Sequence, residues 1–340
     1  MTPSPSRLFR NELPFVPLVA GLGLLVALLF AASILLGRAG LLLPDAGLFA
    51  AIPDTPQAVI LRDLRLPRAI LALAIGAALG MSGAALQGLL RNPLAEPGIV
   101  GVSGTAALGA VVAFYTGLSA AYPLALPLGG MIGAGLAVAL LYLLAGRDAP
   151  ILTLILAGVA INAMSGALTT LALNLSPNPY AAFEVFFWLL GALTDRSMEH
   201  VVLALPFIAL GLALLATTGR GLDALTLGED VARSLGFGLA GLQARVIVGT
   251  ALAVGAAVAV SGVIGFVGLV VPHLLRPAVG HRPSRLLPVA ALGGAALTLA
   301  ADIAVRFVTE GPELQLGVLT AIIGAPFFLA LVLKTRRDGQ

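Results

Sequence analysis

The sequence contains no cysteine and a single lysine, Lys334. The absence of cysteine excludes disulfides, thiolate chemistry and sulfur-ligated metal sites. Because Leu333 precedes the lysine, the chain lacks the Gly-Lys-Ser or Gly-Lys-Thr segment of a phosphate-binding loop. An ATP-driven step would therefore have to take place in another subunit.

Charged residues are scarce as well, since they make up 10% of the 340 residues while hydrophobic residues make up 59%. This composition leaves too little polar surface to cover a soluble protein of this size, and no basic tract indicates a nucleic-acid partner. Long uncharged segments recur along the chain, each near the roughly 20 residues that a helix needs to cross a bilayer. They lack the two-residue alternation of a membrane barrel. We therefore predict an all-α polytopic membrane protein in which residues 1–340 form a single transmembrane domain.

Ten spans are predicted, at residues 15–36, 66–90, 98–117, 123–145, 150–173, 200–218, 243–262, 264–277, 286–307 and 315–334. The first is longer than the core of a secretory signal. The eighth is short and contains Pro272, which indicates a broken or partly inserted helix; merging it with its neighbour would leave nine spans. With the N-terminus in the cytoplasm, 13 basic residues lie inside and six outside, as the positive-inside rule expects for ten spans. Both termini are accordingly predicted to be cytoplasmic.

Three of the exterior basic residues, Arg62, Arg65 and Arg68, lie close together at the mouth of the second span. Such a cluster is typical of a surface that meets an acidic partner. Neutralisation by Asp63 and other nearby acids, or anchoring to lipid headgroups, explains the cluster equally well.

Small residues dominate two spans, over Gly76 to Gly83 and Gly255 to Gly262. Both runs contain Gly-Ala-Ala and end in Ser-Gly, and each is followed ten residues later by a proline, Pro93 or Pro272. Close helix packing is expected at such runs. Because five helices separate them, the two would run in opposite directions, which indicates an inverted repeat of the kind found in many transporters.

Carboxylates, histidines and arginines are almost absent from the span interiors, which argues against an ion-coupled carrier. Asp302 lies one helical turn before Arg306, as in a helical ion pair. Asn162 and Met164 on the fifth span could line a path, although hydrogen bonding between helices accounts for Asn162 as well.

An intramembrane serine protease is a weaker hypothesis, based on Gly80-Met81-Ser82-Gly83 with His273 as the base. Ser82 lies inside a small-residue run, where helix packing is the better interpretation. The other histidines, His200 and His281, are too isolated to form a metal site.

A polar segment between two glycines, within residues 220–241, predicts a short amphipathic helix with Val231 and Leu235 on one face. Acidic residues in its first turn favour the helix dipole, and glycines are common at helix ends. We interpret it as a docking element for a cytoplasmic partner, formed by Leu227, Gly228, Glu229, Asp230, Ala232, Arg233 and Gly236.

Several motifs resemble the FecCD family of ABC importer permeases, which carry ferric siderophores, haem or cobalamin. They are Arg65-Leu66-Pro67-Arg68, Gly83, Gln87, Arg91 to Pro97, the coupling segment Leu227 to Gly236, Gly262 to Leu269, Pro272-His273, and Ala301-Asp302 to Arg306. The resemblance covers roughly residues 60 to 335, nearly the whole chain.

The resemblance implies a ten-helix fold similar to cobalamin importer permeases, in a bacterial inner membrane. It implies a homodimer with the path between the two copies, two ATPase subunits beneath it and a periplasmic binding protein above. ATP and Mg²⁺ would bind to the ATPase, and no cofactor is expected in this chain.

The resemblance also assigns roles to particular residues. Arg65, Arg68 and Arg306 would meet acidic residues of the binding protein, and Glu229, Ala232, Arg233 and Gly236 would lie in the ATPase cleft. Gln87, Asn162 and Met164 are candidates for the path. An iron chelate is the expected cargo, with cobalamin as the alternative; a protease using Ser82 and a stand-alone carrier are the alternatives of other classes.

Overall fold

A computed structural model of the chain describes residues 13–37, 40–41, 55–122, 124–146, 149–176, 179–308 and 313–338. Arg7, Arg10, Arg38 and Arg147, which entered the prediction of sidedness, lie outside the described residues. The principal helices are α1 (Phe15–Leu35), α2 (Leu66–Leu89), α3 (Val102–Tyr115), α4 (Ala125–Ala145), α5 (Ile151–Asn174), α6 (Met198–Ala216), α7 (Leu239–Ser261), α8 (Val267–Leu275), α9 (Pro283–Val308) and α10 (Leu316–Asp338).

Each predicted span coincides with one of these helices, so the all-α membrane fold is confirmed. Seven helices in the described part of the chain are long and apolar enough to cross a membrane. The eighth predicted span holds α8, which has nine residues. At about 1.5 Å per residue it rises roughly 14 Å, half of a hydrocarbon core of about 30 Å. α8 is therefore shorter than a full crossing requires, as expected for a broken helix, and its depth of insertion stays a prediction.

Shorter elements connect the principal helices. They are the helices Pro56–Val59, Leu118–Ala121, Pro179–Leu189, Gly219–Leu225 and Glu229–Ser234, the π-helix Ile60–Arg65, the 3-10 helices Pro97–Val100 and Pro277–Val279, and the two-residue strands Leu36–Gly37 and Gly40–Leu41. The two strands pair antiparallel directly after α1.

The small-residue runs form close helix contacts. A methyl group added at Gly80 of α2 would overlap the carbonyl of Ala290 in α9, and one at Gly76 would overlap the carbonyl of Gly294. On α7, a methyl group at Gly255 would overlap the side chain of Ala134 in α4. The second helix thus packs on the ninth and the seventh on the fourth, which is the exchange that an inverted repeat of five helices requires. Without glycine the backbones could not approach this closely.

Helices α1, α4, α5 and α6 are largely exposed along their apolar length, whereas α2 and α7 are almost entirely buried. α2 and α7 therefore form the centre of the subunit. The exposed apolar surface of α1, α4, α5 and α6 could contact lipid or a second protein.

Candidate functional site

One end of the subunit holds a cluster of buried arginines at the C-terminus of α1. The last carbonyls of a helix have no partners within the helix. Arg65 donates from Nη1 to the carbonyls of Ile34 at 3.1 Å and Leu35 at 2.6 Å, and from Nη2 to that of Gly40 at 3.2 Å. Its side chain thereby caps α1 and holds the strand pair that follows.

Arg306 completes this cap from α9. Its Nη1 donates to the carbonyls of Ser33 at 2.6 Å and Leu36 at 2.9 Å, and its Nη2 donates to the Ser33 hydroxyl at 2.8 Å. Arg306 is 3% exposed and Arg65 is 6% exposed. Both guanidinium groups are therefore engaged with the chain itself.

Arg68 belongs to an ion network next to the cap. Its Nε donates to both oxygens of Asp302, at 2.9 and 3.2 Å, and its Nη2 donates to Glu313 at 2.8 Å. Asp302 also accepts from Arg306, as the sequence predicted, and Thr194 donates to Glu313 at 3.1 Å. The carboxylates that balance Arg68 thus come from the far end of the sequence and not from its immediate neighbours.

The positions and burial of Arg65, Arg68 and Arg306 bear on the docking role predicted for them. The structure brings all three together at one end, around one cavity. However, Arg65 and Arg306 lie below the surface in this conformation, and their contact with a partner stays a prediction.

The opposite end holds the predicted coupling segment. A helix spans Glu229–Ser234, and Gly228 and Gly236 flank it with φ angles of 108° and 84°, which glycine adopts readily. Arg233 lies 3.6 Å from Glu229 and 3.5 Å from Asp230. The predicted short helix is thus present.

The surface of this segment combines charge with apolar side chains. Leu227, Val231 and Leu235 are exposed, whereas Ala232 is fully buried. Ala232 therefore supports the helix from beneath and presents no surface to a partner here. Arg91 lies 3.8 Å from Glu229, which joins the segment to the loop after α2.

A contact that the sequence did not reveal connects this region to α9. The carboxylate of Asp223, in the helix Gly219–Leu225, accepts a hydrogen bond of 2.8 Å from the backbone amide of Ser284 in the first turn of α9. Leu222 of the same helix packs near Gly88 at the end of α2. A force on the coupling segment can thus reach α2 and α9. Sixty-one residues separate the two hydrogen-bonded groups, so no local pattern indicates the contact.

Glu96 is a second residue that sequence reasoning missed. It is mostly buried in the loop before Pro97–Val100, and burial raises the pKa of its carboxyl. The backbone amide of Phe266 donates to this carboxyl, which partly opposes that increase. Phe266 immediately precedes α8 and has a left-handed φ of 66°. Glu96 therefore caps the N-terminus of the half-length helix.

The predicted path residues differ in accessibility. Gln87 is 1% exposed; its amide donates to the carbonyls of Gly268 and Leu269 at 3.4 Å each, and it accepts from Arg276. Gln87 therefore joins α2 to α8 and is buried within the subunit in this conformation, and its place in a path stays a prediction. Asn162 and Met164 are exposed on α5 and remain candidates.

Ser82 is fully buried, and its hydroxyl has no hydrogen-bond partner among the described residues. The ring of His273 instead packs against Phe327, with 5.8 Å between the ring centroids. A serine nucleophile requires a base within hydrogen-bond reach. The protease hypothesis therefore has no support from the site. The described residues also contain no group of three or more acidic or histidine side chains that could hold a metal ion.

Comparisons with known proteins place this arrangement in context. A sequence profile of the FecCD transport family matches residues 24–334. The vitamin B12 import system permease protein BtuC of Vibrio vulnificus is 40% identical over 278 residues, covering 81% of this chain and 83% of its own. The hemin transport system permease protein HmuU of Yersinia pestis is 39% identical over 291 residues, covering 81% and 84%.

A solved structure is similar over nearly the whole chain. It is an inward-facing conformation of a metal-chelate type ABC transporter, with a TM-score of 0.83 and 33% identity. The match covers 94% of this chain and 99% of the solved one.

Proposed function

This chain belongs to the FecCD transport family, and from that premise we propose that it imports an iron chelate, either haem or a ferric siderophore. It is a permease subunit of an ABC importer and not an enzyme, and the ATPase activity lies in a separate subunit. The observation that carries the iron-chelate proposal is the similarity to a metal-chelate type transporter over 94% of the chain. Cobalamin is the second candidate, because the B12 permease is as similar in sequence as the haemin permease.

The proposed transport path lies between two copies of this chain. The exposed apolar surface of α5, with Asn162 and Met164 on it, supports this proposal. A passage lined by few polar groups would bind its cargo weakly, so selectivity would come from the binding protein. Weak binding in the path favours release into the cytoplasm.

ATP-driven movement would enter at the coupling segment. Its exposed side chains, Leu227, Val231 and Leu235, offer an apolar surface for two cytoplasmic ATPase subunits, with Glu229 and Arg233 beside it. The hydrogen bond from Ser284 to Asp223 supports transmission of that movement to α9. Both chain termini would lie on this cytoplasmic side of the bacterial inner membrane.

The opposite end would receive the cargo-loaded binding protein. Arg65, Arg68 and Arg306 are the predicted docking residues, and the cavity that they share supports this assignment. Because Arg65 and Arg306 also cap α1, a partner that approaches them would act directly on that helix.

The test is uptake into proteoliposomes that contain this chain, its ATPase and its binding protein. Labelled haem, a ferric siderophore and cobalamin are compared with and without ATP. We expect ATP-dependent accumulation of an iron chelate. Accumulation of cobalamin alone would show that cobalamin, and not an iron chelate, is the cargo. Uptake without ATP by the assembled complex would contradict the assignment as an ABC importer.

A variant tests the coupling segment in the same assay. Glu229→Gln with Arg233→Gln should lower cargo uptake per ATP hydrolysed, and Arg282→Gln is the control because Arg282 is exposed in the loop before α9 and lies outside the coupling segment. Equal coupling in the double variant and the control would contradict the assigned role.

A further inference from the structure

The cavity beside the cap of α1 has a volume of about 310 Å³ and contains more arginine than the docking prediction used. Its ionisable lining residues are Arg65, Arg68, Arg196, Arg306, Asp195 and Glu313. Arg196 comes from the loop before α6.

Three of the four arginines are already engaged within the subunit. Arg65 and Arg306 donate to backbone carbonyls at the end of α1, and Arg68 donates to Asp302 and Glu313. Each of these contacts satisfies donors that would otherwise be costly to bury. These three residues therefore stabilise the subunit even when no partner is bound.

Arg196 is partly buried and lines the same cavity, and its Nε has no hydrogen-bond partner among the described residues. Burial lowers the pKa of its guanidinium, and the negative charge of the adjacent Asp195 opposes that decrease. Asp195 itself is exposed and adopts a left-handed φ of 58°. A buried charged donor without a partner is costly, which is a reason to look for a partner outside the chain.

The charge of the cavity agrees with an anionic partner. Four arginines, Asp195 and Glu313 line the cavity, and Asp302 pairs with two of these arginines, so the net charge of the seven side chains is +1. A cavity of this size admits a carboxylate side chain, and a guanidinium can bind a carboxylate through two parallel hydrogen bonds.

We propose that Arg196 receives a carboxylate side chain of the cargo-loaded binding protein in this cavity. The inference rests on the proposed function, since it presupposes an importer supplied by a binding protein. It adds Arg196, whose Nε has no hydrogen-bond partner among the described residues, to the predicted docking residues Arg65, Arg68 and Arg306 that line the same cavity.

The experiment measures the affinity of the cargo-loaded binding protein for the assembled permease–ATPase complex in lipid nanodiscs. Three permeases are compared: wild type, Arg196→Gln and Arg196→Lys. Arg62→Gln is the matched control, because Arg62 lies at the same end of the subunit but does not line the cavity. Size-exclusion profiles and melting temperatures of all complexes establish that each variant is folded and assembled.

Loss of one partner from a desolvated charge pair weakens binding by about 30-fold or more. We expect at least this loss in Arg196→Gln, a smaller loss in Arg196→Lys, and a change below about twofold in Arg62→Gln. Replacing the acidic residues of the binding protein one at a time should identify one whose loss has no further effect in Arg196→Gln.

A loss below about twofold in a folded Arg196→Gln complex would overturn the inference and leave ATP-dependent uptake, and with it the proposed function, intact. Equal losses in Arg196→Gln and Arg62→Gln would also overturn it, because they would indicate a general field in place of a specific contact. Failure of the wild-type complex to bind any loaded binding protein would contradict both the inference and the proposed function.

Discussion

Asp302 allows the sharpest test of the buried ion network. It is fully buried and accepts hydrogen bonds from Arg68, at 2.9 and 3.2 Å, and from Arg306. Replacement with asparagine keeps the shape of the side chain and removes its charge. Two arginines whose side chains are 12% and 4% exposed would then share a neutral acceptor.

The expected loss of stability follows from this burial. Removing one partner of a buried ion pair costs about 3–5 kcal/mol, because the remaining charge is left uncompensated. Asparagine retains one acceptor oxygen, so we expect the lower end of this range, about 3 kcal/mol. Glu313 is 21% exposed, and Glu313→Gln should cost about 1 kcal/mol, as is usual for more accessible pairs.

Melting of the purified protein in detergent provides the measurement. A large domain loses about 2 °C per kcal/mol, so the midpoint should fall by about 6 °C in Asp302→Asn and about 2 °C in Glu313→Gln. All variants are heated at one rate, since unfolding of membrane proteins is often irreversible. Equal midpoints for wild type and Asp302→Asn would refute the argument that the network stabilises the fold.

Two further predictions use contacts outside the network. Gly83→Ala should lower the stability of the protein by about 1–3 kcal/mol in the same melting assay, because the added methyl group would overlap the carbonyl of Gly268. Gly166 has open space around it, so the control Gly166→Ala should be neutral or stabilising. Equal melting temperatures of the two variants would contradict close packing at Gly83. Asp223→Ala should lower stability by about 1 kcal/mol, because the backbone amide of Ser284 would lose its hydrogen-bond acceptor. The variant should also reduce the amount of cargo taken up per phosphate released. An unchanged ratio of uptake to phosphate release would argue against transmission through this hydrogen bond.

Local sequence patterns were sufficient for the helices. Each apolar run coincides with a helix, because length and hydropathy alone decide whether a segment can cross a bilayer. Pro272 indicated the shortened α8, and Gly228 and Gly236 indicated the short helix between them. These features depend on residues within a few positions of one another.

Partners of buried polar groups could not be predicted in the same way. The sequence indicated the pair of Asp302 and Arg306, which lie one turn apart, but not the contact of Asp302 with Arg68, which is 234 residues away. Gln87, a candidate for the path, bonds to the carbonyls near Gly268 and to Arg276, and the sequence indicated neither partner. A polar residue in an apolar helix indicates that a partner exists without indicating which one.

The sequence by itself therefore determined that this chain is a helical membrane protein without a phosphate-binding loop, since composition, helix length and the lack of that loop are local properties. The tertiary structure decided which groups are contacted by the arginines that were predicted to be exterior. Arg65 and Arg306 meet at the end of α1 although 241 positions separate them (306 − 65), while Arg196 enters the same cavity with its Nε unpaired. Only the packing of α1, α2 and α9 brings these charges together, because the segments that carry them lie far apart in the sequence.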